Sequence, residues 1–314
     1  KPIGWKRQEI YAAGDGKLGH TSEGRPSITG SYSKIAVVNL NNDSYQDLIL
    51  YNPAMDYWAG LRGDQSFNFK LQDNMVKLER FRSVVELVNP GRASDLATLG
   101  KLGELKLWQN NGNTLTAIGV EPASLIDLQA VALGDFNGDS IRDLVSLGSS
   151  SAKLDVSPGL DFSKFGMPVS LGTVAMPRVV TVADLDGDKF LDLLVVSESP
   201  SSAARIYRAL GGGVFVSQSV VPLESSLNTV VLQDLTCDGL PDLVTYVTNK
   251  NEITVYTNTS TPGSIAFAAS TKVPLAAPAT FESLAFANFN ADNRVDIVAL
   301  TTGGSVIFFG NESE

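Results

Sequence analysis

The chain has 314 residues, 43% hydrophobic and 18% charged, with a formal net charge of -10. That balance excludes a disordered chain, and no apolar run approaches the roughly 18 residues of a membrane-spanning helix. The acidic excess argues against nucleic acid and anionic membranes as partners, since both call for basic surfaces. Cys237 is the single cysteine, so no intrachain disulfide can form.

Residues 1–33 contain one strand-like stretch, at 6–12, and then a polar loop carrying Gly14, Gly16, Gly19 and Gly24. From Lys34 a pattern sets in that recurs to the end. Its first copy reads as a strand at 35–40, a polar loop, a second strand at 47–51, a third at 57–61, a turn, and a fourth at 67–71. The second copy has Lys106-Leu107-Trp108 as its third strand, followed by the hairpin signal Asn110-Asn111-Gly112-Asn113. Later third strands are expected at 153–156, 204–209 and 253–256. The first and second strands of each copy are apolar with little alternation, as in 179–183 and 193–196, which predicts sheet covered on both faces. Helical patterns are missing; the stretches 71–82 and 124–128 are short enough to be connections.

The loop between the first two strands carries the chemistry. In the fourth copy Asp184, Asp186, Asp188 and Asp192 stand at offsets 0, 2, 4 and 8. The third copy has Asp135, Asn137, Asp139 and Asp143 there, and the fifth has Asp234, Thr236, Asp238 and Asp242. The sixth has Asn288, Asn290, Asp292 and Asp296, and the first Asn39, Asn41, Asp43 and Asp47. The second copy, 83–99, keeps only Asp95, and Asn89-Pro90-Gly91 disturbs its loop. The last acid recurs at 47, 95, 143, 192, 242 and 296, so the period is 48 to 54 residues. That marks a structural repeat rather than chance turn chemistry.

Four short strands per repeat are the pattern of a propeller blade. The reading is an all-β, six-bladed propeller forming one domain over 1–314, with repeats at 34–80, 81–128, 129–176, 177–226, 227–280 and 281–314. The sixth repeat runs out before a fourth strand, and a closed ring leaves no open edge, so the N-terminal strand 6–12 is expected to complete it. The alternative is a seven-bladed ring, which residues 1–33 could supply only in degenerate form.

Four acids within nine residues repel one another, and a hard cation would reward their placement. Oxygen ligands at alternating positions of a tight loop are how proteins hold calcium, and Gly187 lets the backbone fold around the ion. A plain acidic hairpin turn would explain one copy but not the recurrence. Ligand charge ranks the sites: four acids in the loop of Asp184, three in those of Asp135 and Asp234, two in those of Asn39 and Asn288, and no metal in the second repeat. In the loop of Asp234, Cys237 stands where the stronger loops have glycine. An EF-hand would need a Glu at offset 11, where this chain has Ser146 and Val195 in strands.

Asp135-Phe136-Asn137-Gly138-Asp139 with Asp143-Leu144-Val145, and Asp184-Leu185-Asp186-Gly187-Asp188 with Asp192-Leu193-Leu194, resemble the FG-GAP (VCBS) repeat family of calcium-loop propellers, which includes integrin α-subunit heads. The resemblance extends with falling fidelity over 34–310. It implies that side chains at offsets 0, 2, 4 and 8 bind calcium together with the backbone carbonyl at offset 6. Those carbonyls would belong to Tyr45, Ile141, Phe190, Leu240 and Arg294.

The expected function is a secreted or cell-surface module, stabilised by several structural calcium ions, that binds a protein or glycan through loops at one end of the ring. No nucleic acid partner and no direct membrane insertion are expected. Modest calcium sites suit the outside of cells, and the start at Lys1-Pro2 suits a processed chain. Two other classes stay open: a multivalent lectin using Trp5, Tyr57, Trp58 or Trp108, and a polysaccharide lyase or hydrolase at the channel mouth. No catalytic residue is assigned: His20 is the single histidine, and no nucleophile, phosphate-loop or zinc pattern accompanies it. Arg62-Gly63-Asp64 offers an integrin-type tripeptide at a turn, and Asn42, Asn258 and Asn311 are glycosylation sequons.

Overall fold

The computed structural model describes residues 5–9, 17–18, 28–29, 34–43, 45–52, 57–64, 69–71, 81–89, 92–112, 114–122, 125–198, 202–248, 250–275, 281–289, 292–301 and 306–311. Strands this short cannot bury a core alone. Each repeat therefore folds as a four-stranded antiparallel sheet that packs against its neighbours.

Blade one comprises Lys34–Val38, Asp47–Asn52, Tyr57–Gly63 and Phe69–Leu71. Blade two comprises Phe81–Asn89, Arg92–Gly100, Leu105–Asn110 and Leu115–Ile118. Blade three comprises Leu128–Gly134, Asp143–Gly148, Lys153–Ser157 and Val169–Thr173. Blade four comprises Pro177–Ala183, Asp192–Ser197, Ala203–Ala209 and Phe215–Pro222. Blade five comprises Leu227–Gln233, Asp242–Val247, Glu252–Tyr256 and Thr271–Pro274.

Blade six has Phe281–Ala287, Asp296–Thr301 and Val306–Asn311 from the C-terminus, and its fourth strand is the N-terminal Trp5–Glu9, paired antiparallel with Trp5 opposite Asn311. The expected ring closure is thus present, and the seven-bladed alternative is excluded. Residues 17–18 and 28–29 make a separate two-stranded hairpin. No described residue is helical; most of 71–82 lies outside the described residues.

The core is divided into wedges. Among the described residues, apolar clusters fill each junction between adjacent blades, for example Leu48 and Leu50 against Val298 and Phe308 across the closing pair. The others join blades one and two, two and three, three and four, four and five, and five and six. The second strands are the inner layer of these wedges, and 143–148, 192–197 and 296–301 are buried at every residue. The innermost strands differ from expectation. Those of blades four and five are only partly buried, as in 177–183 and 227–233, because one side faces the ring axis, whereas Phe281–Ala287 of blade six is mostly buried. Outermost strands such as 169–173 are mostly exposed.

One regularity carries no turn-residue signal. The innermost strands of blades two to six each slip register by one residue at their start, at Arg82, Gln129, Arg178, Asn228 and Glu282. Such bulges increase local twist and re-aim side chains. Here they put a polar residue at the same end of every one of these strands, away from the acidic loops.

Candidate metal centre

Each acidic loop is folded by its own carboxylates. Asn42, Gly138, Gly187 and Cys237 at offset 3, and Ser140, Lys189, Gly239 and Asn293 at offset 5, all have positive φ. This turns successive N–H groups inward. The first side chain collects them: Asp135 accepts from Gly138 and Ser140, and Asp184 from Gly187, Asp188 and Lys189. The acid at offset 4 then accepts the N–H at offset 6 in all five loops. These pairs are Asp43 with Tyr45, Asp139 with Ile141, Asp188 with Phe190, Asp238 with Leu240, and Asp292 with Arg294. The residues whose carbonyls the family resemblance singles out are therefore positioned through their own N–H groups.

In blade four the first three acids converge. Oxygens of Asp184, Asp186 and Asp188 lie within 4.8 Å of one another, although Asp186 is only 1% exposed. Three carboxylates so close, one of them desolvated, call for positive charge. Part comes from Arg208, whose Nη1 is 3.3 Å from Asp188 Oδ2 and 4.0 Å from Asp186 Oδ2. Gly263 of blade five also donates its N–H to Asp186 Oδ2 at 2.8 Å.

The other loops use amides as partial substitutes. Asn137 Nδ2 donates to Asp139 at 2.9 Å, and Asn41 Nδ2 to Asp43 at 2.6 Å. Two oxygens at ligand offsets, Thr236 Oγ1 in blade five and Asn288 Oδ1 in blade six, are buried without any hydrogen-bond partner. An all-oxygen donor set with unsatisfied members suits a hard cation such as calcium. Asn290 lies outside the described residues.

The last acid does different work. Asp47, Asp143, Asp192, Asp242 and Asp296 are at most 1% exposed, and none joins the three-acid group of blade four. One oxygen accepts the N–H just after offset 0: Leu40, Phe136, Leu185, Leu235 or Phe289. The other accepts an N–H at the end of the third strand or just past it: Gly63, Gly159, Ala209, Asn258 or Asn311. Each carboxylate thereby pins loop, second strand and third strand together. Burial outweighs these N–H donors and pushes Asp47 and Asp192 up to about 6, with Asp143 and Asp242 also raised.

Several contributors escaped sequence reasoning. Asn258 Nδ2 donates to Leu185 O at 2.9 Å, so blade five holds the loop of blade four. Asn110 Nδ2 does the same to Leu40 O at 3.1 Å across blades two and one. The available signal was an asparagine 15 or 16 residues after the last acid, at 110, 258 and 311. Arg208 had no such signal.

Three sequence readings are corrected. Asn258 and Asn311 are each 2% exposed, so these sequons are closed to a glycan. Arg62 Nη2 is held by Gly112 O at 2.7 Å and the Gly63 N–H by Asp47, which removes the tripeptide from any free loop. Trp58 and Trp108 are 3% and 5% exposed, so neither presents a face for stacking on sugar. The side chains of Trp5 and Tyr57, and all of His20, lie outside the described residues.

The chain spans 14% of one structural relative, the Photorhabdus luminescens Tc holotoxin pore carrying a TccC3-D651A mutation, which matches over 99% of this chain with TM-score 0.56 and 16% identity. BBS1N, solved in complex with ARL6DN and soaked with lead, matches over 90% of this chain and 93% of its own, with TM-score 0.54 and 12% identity. A candidate gluconolactonase matches over 99% of this chain and 93% of its own, with TM-score 0.55 and 13% identity. At these identities the likeness concerns fold. No curated protein matches in sequence. The model of the FG-GAP-like repeat matches three times in overlapping windows, 135–195, 184–245 and 234–299, each running from one acidic loop into the blade that follows. These windows cover more than half of the chain, which therefore belongs to the FG-GAP-like repeat family.

Proposed function

We propose that this protein is a secreted or cell-surface propeller, stabilised by calcium in its acidic loops, that binds another protein through loops at one end of the ring. The observation that carries the metal reading is the convergence of Asp184, Asp186 and Asp188 within 4.8 Å, one of them buried. In that loop Asp192 would contribute as a further ligand, and the same offsets would serve in blades three, five, one and six. Bound calcium supplies the charge that relieves carboxylate repulsion, a structural rather than catalytic role. Because Gly263 and Asn258 of blade five reach into the loop of blade four, rigidity gained there passes to the next blade.

The extracellular reading follows from the family and from the millimolar calcium at which modest sites fill. The interaction reading draws on the fold, and BBS1N shows a propeller of this size in a protein complex. Surface plasmon resonance against a panel of extracellular proteins and glycans, in calcium and in chelator, tests it. Saturable protein binding that weakens in chelator supports the reading; binding confined to glycans, or no calcium uptake in a calorimetric titration, contradicts it.

A further inference from the structure

Trp58 is 3% exposed, and its Nε1 is buried without any hydrogen-bond partner. Buried indole N–H groups usually find an acceptor, as Trp108 does in Thr98 Oγ1 at 2.8 Å. The Trp58 ring is fixed by Tyr51, at a centroid distance of 5.1 Å, and by the apolar cluster between blades one and two. Tyr51 is also its cross-strand partner, and Ile49, two residues earlier, is the partner of Ala36. Cross-strand partners share a sheet face, so Ala36 and Trp58 both stand on the side of blade one that looks towards blade two.

That side borders an axial cavity of about 460 Å³, lined by Trp58 and by innermost-strand residues of blades one, two, four, five and six. Ten of the other described lining residues are apolar, among them Ile35, Val84, Val231 and Phe286, so the walls favour hydrocarbon. Ser83, Asn228, Thr229 and Ser283 add hydroxyl and amide groups. Charge gives no handle on an occupant. Lys34 on this wall is already engaged, and Arg178, in the neighbouring axial cavity, pairs with Glu198 at 3.0 Å. Arg82 and Glu282 carry opposite signs at the starts of the blade-two and blade-six strands.

We infer that this cavity binds an uncharged, largely apolar small molecule with a carbonyl-type oxygen that accepts the Trp58 Nε1–H. An indole N–H donates and cannot accept, so a ketone oxygen serves it and an ammonium does not. A carboxylate would lose its hydration among the apolar walls. Few polar groups set between apolar walls are the usual form of a small-molecule site. The inference depends neither on the calcium loops nor on the protein-binding proposal.

The test is titration of the intact chain, in chelator, with norcamphor, a neutral cyclic ketone, and with its charged analogues norbornan-2-amine and norbornane-2-carboxylate. Binding is read from the nitrogen–proton resonances of the tryptophan indoles. Norcamphor is expected to move one indole signal downfield, the signal missing in Trp58→Phe, and to bind roughly tenfold or more tightly than either charged analogue. Ala36→Leu narrows the cavity and keeps the indole, and it should weaken norcamphor by about fivefold or more, while an unmoved Trp108 signal reports an intact fold. No indole shift at about 10 mM norcamphor, a charged analogue that binds as tightly, or an affinity untouched by both Trp58→Phe and Ala36→Leu overturns the inference.

Discussion

Blade two and blade four carry the same architectural acid with opposite surroundings. In blade four Asp192 sits beneath three further acids. In blade two Asp95 has lost them all, yet it is fully buried and still accepts the Asn110 N–H at 2.8 Å, the bond that Asp192 accepts from Ala209. The last acid therefore serves the blade's own hydrogen bonding in both repeats, whereas the first three, which our proposal gives to a cation, are absent from blade two. A repeat can lose the first three acids and keep its fold because the acid that ties its strands together is the last one.

Breaking the shared part should have the largest effect. Asp95→Ala and Asp192→Ala each strand buried backbone donors, and each is expected to lower stability by about 2–4 kcal/mol in urea unfolding with chelator present. A loss at Asp192 alone would refute the common role. Removing a contact that blade five makes to blade four comes next: Asn258→Ala leaves Leu185 O without its partner and should cost about 1–3 kcal/mol in the same assay.

The unshared part is sharpened by charge. Arg208→Gln removes a cation about 3–4 Å from two of the three converging acids, so calorimetry should show calcium affinity at that loop rising several-fold. Unchanged affinity would mean that the guanidinium does not compete for the site. The smallest effect belongs to Cys237, held at φ 58° where Gly138 and Gly187 stand in neighbouring loops. Cys237→Gly should stabilise blade five by up to about 1 kcal/mol, since glycine relieves left-handed strain at some cost in unfolded-state entropy.

The blades were legible in the sequence because Asp95 and its counterparts recur with the repeat and the strands between them are apolar. The closing strand was legible because a ring tolerates no open edge. Arg208 and Gly263 were not, since they come from a third strand and from the next blade and meet Asp186 only in the assembled ring. Nor were the bulges at residues such as Arg178 and Asn228, which have no preference of their own for the conformation. The acids at offset 8 were read as ligands from their spacing and the family resemblance, and their two backbone partners could not be seen until the third strand was in place.

The most direct measurement is thermal unfolding of the wild type and Asp186→Asn, each in calcium and in chelator, because asparagine retains an acceptor for Gly263 while removing the charge. At ten times Kd each filled site adds about 1.4 kcal/mol, so chelator should lower the wild-type midpoint by several degrees and the variant's by distinctly less. A wild-type midpoint that is the same in calcium and chelator would contradict the cation role of the first three acids.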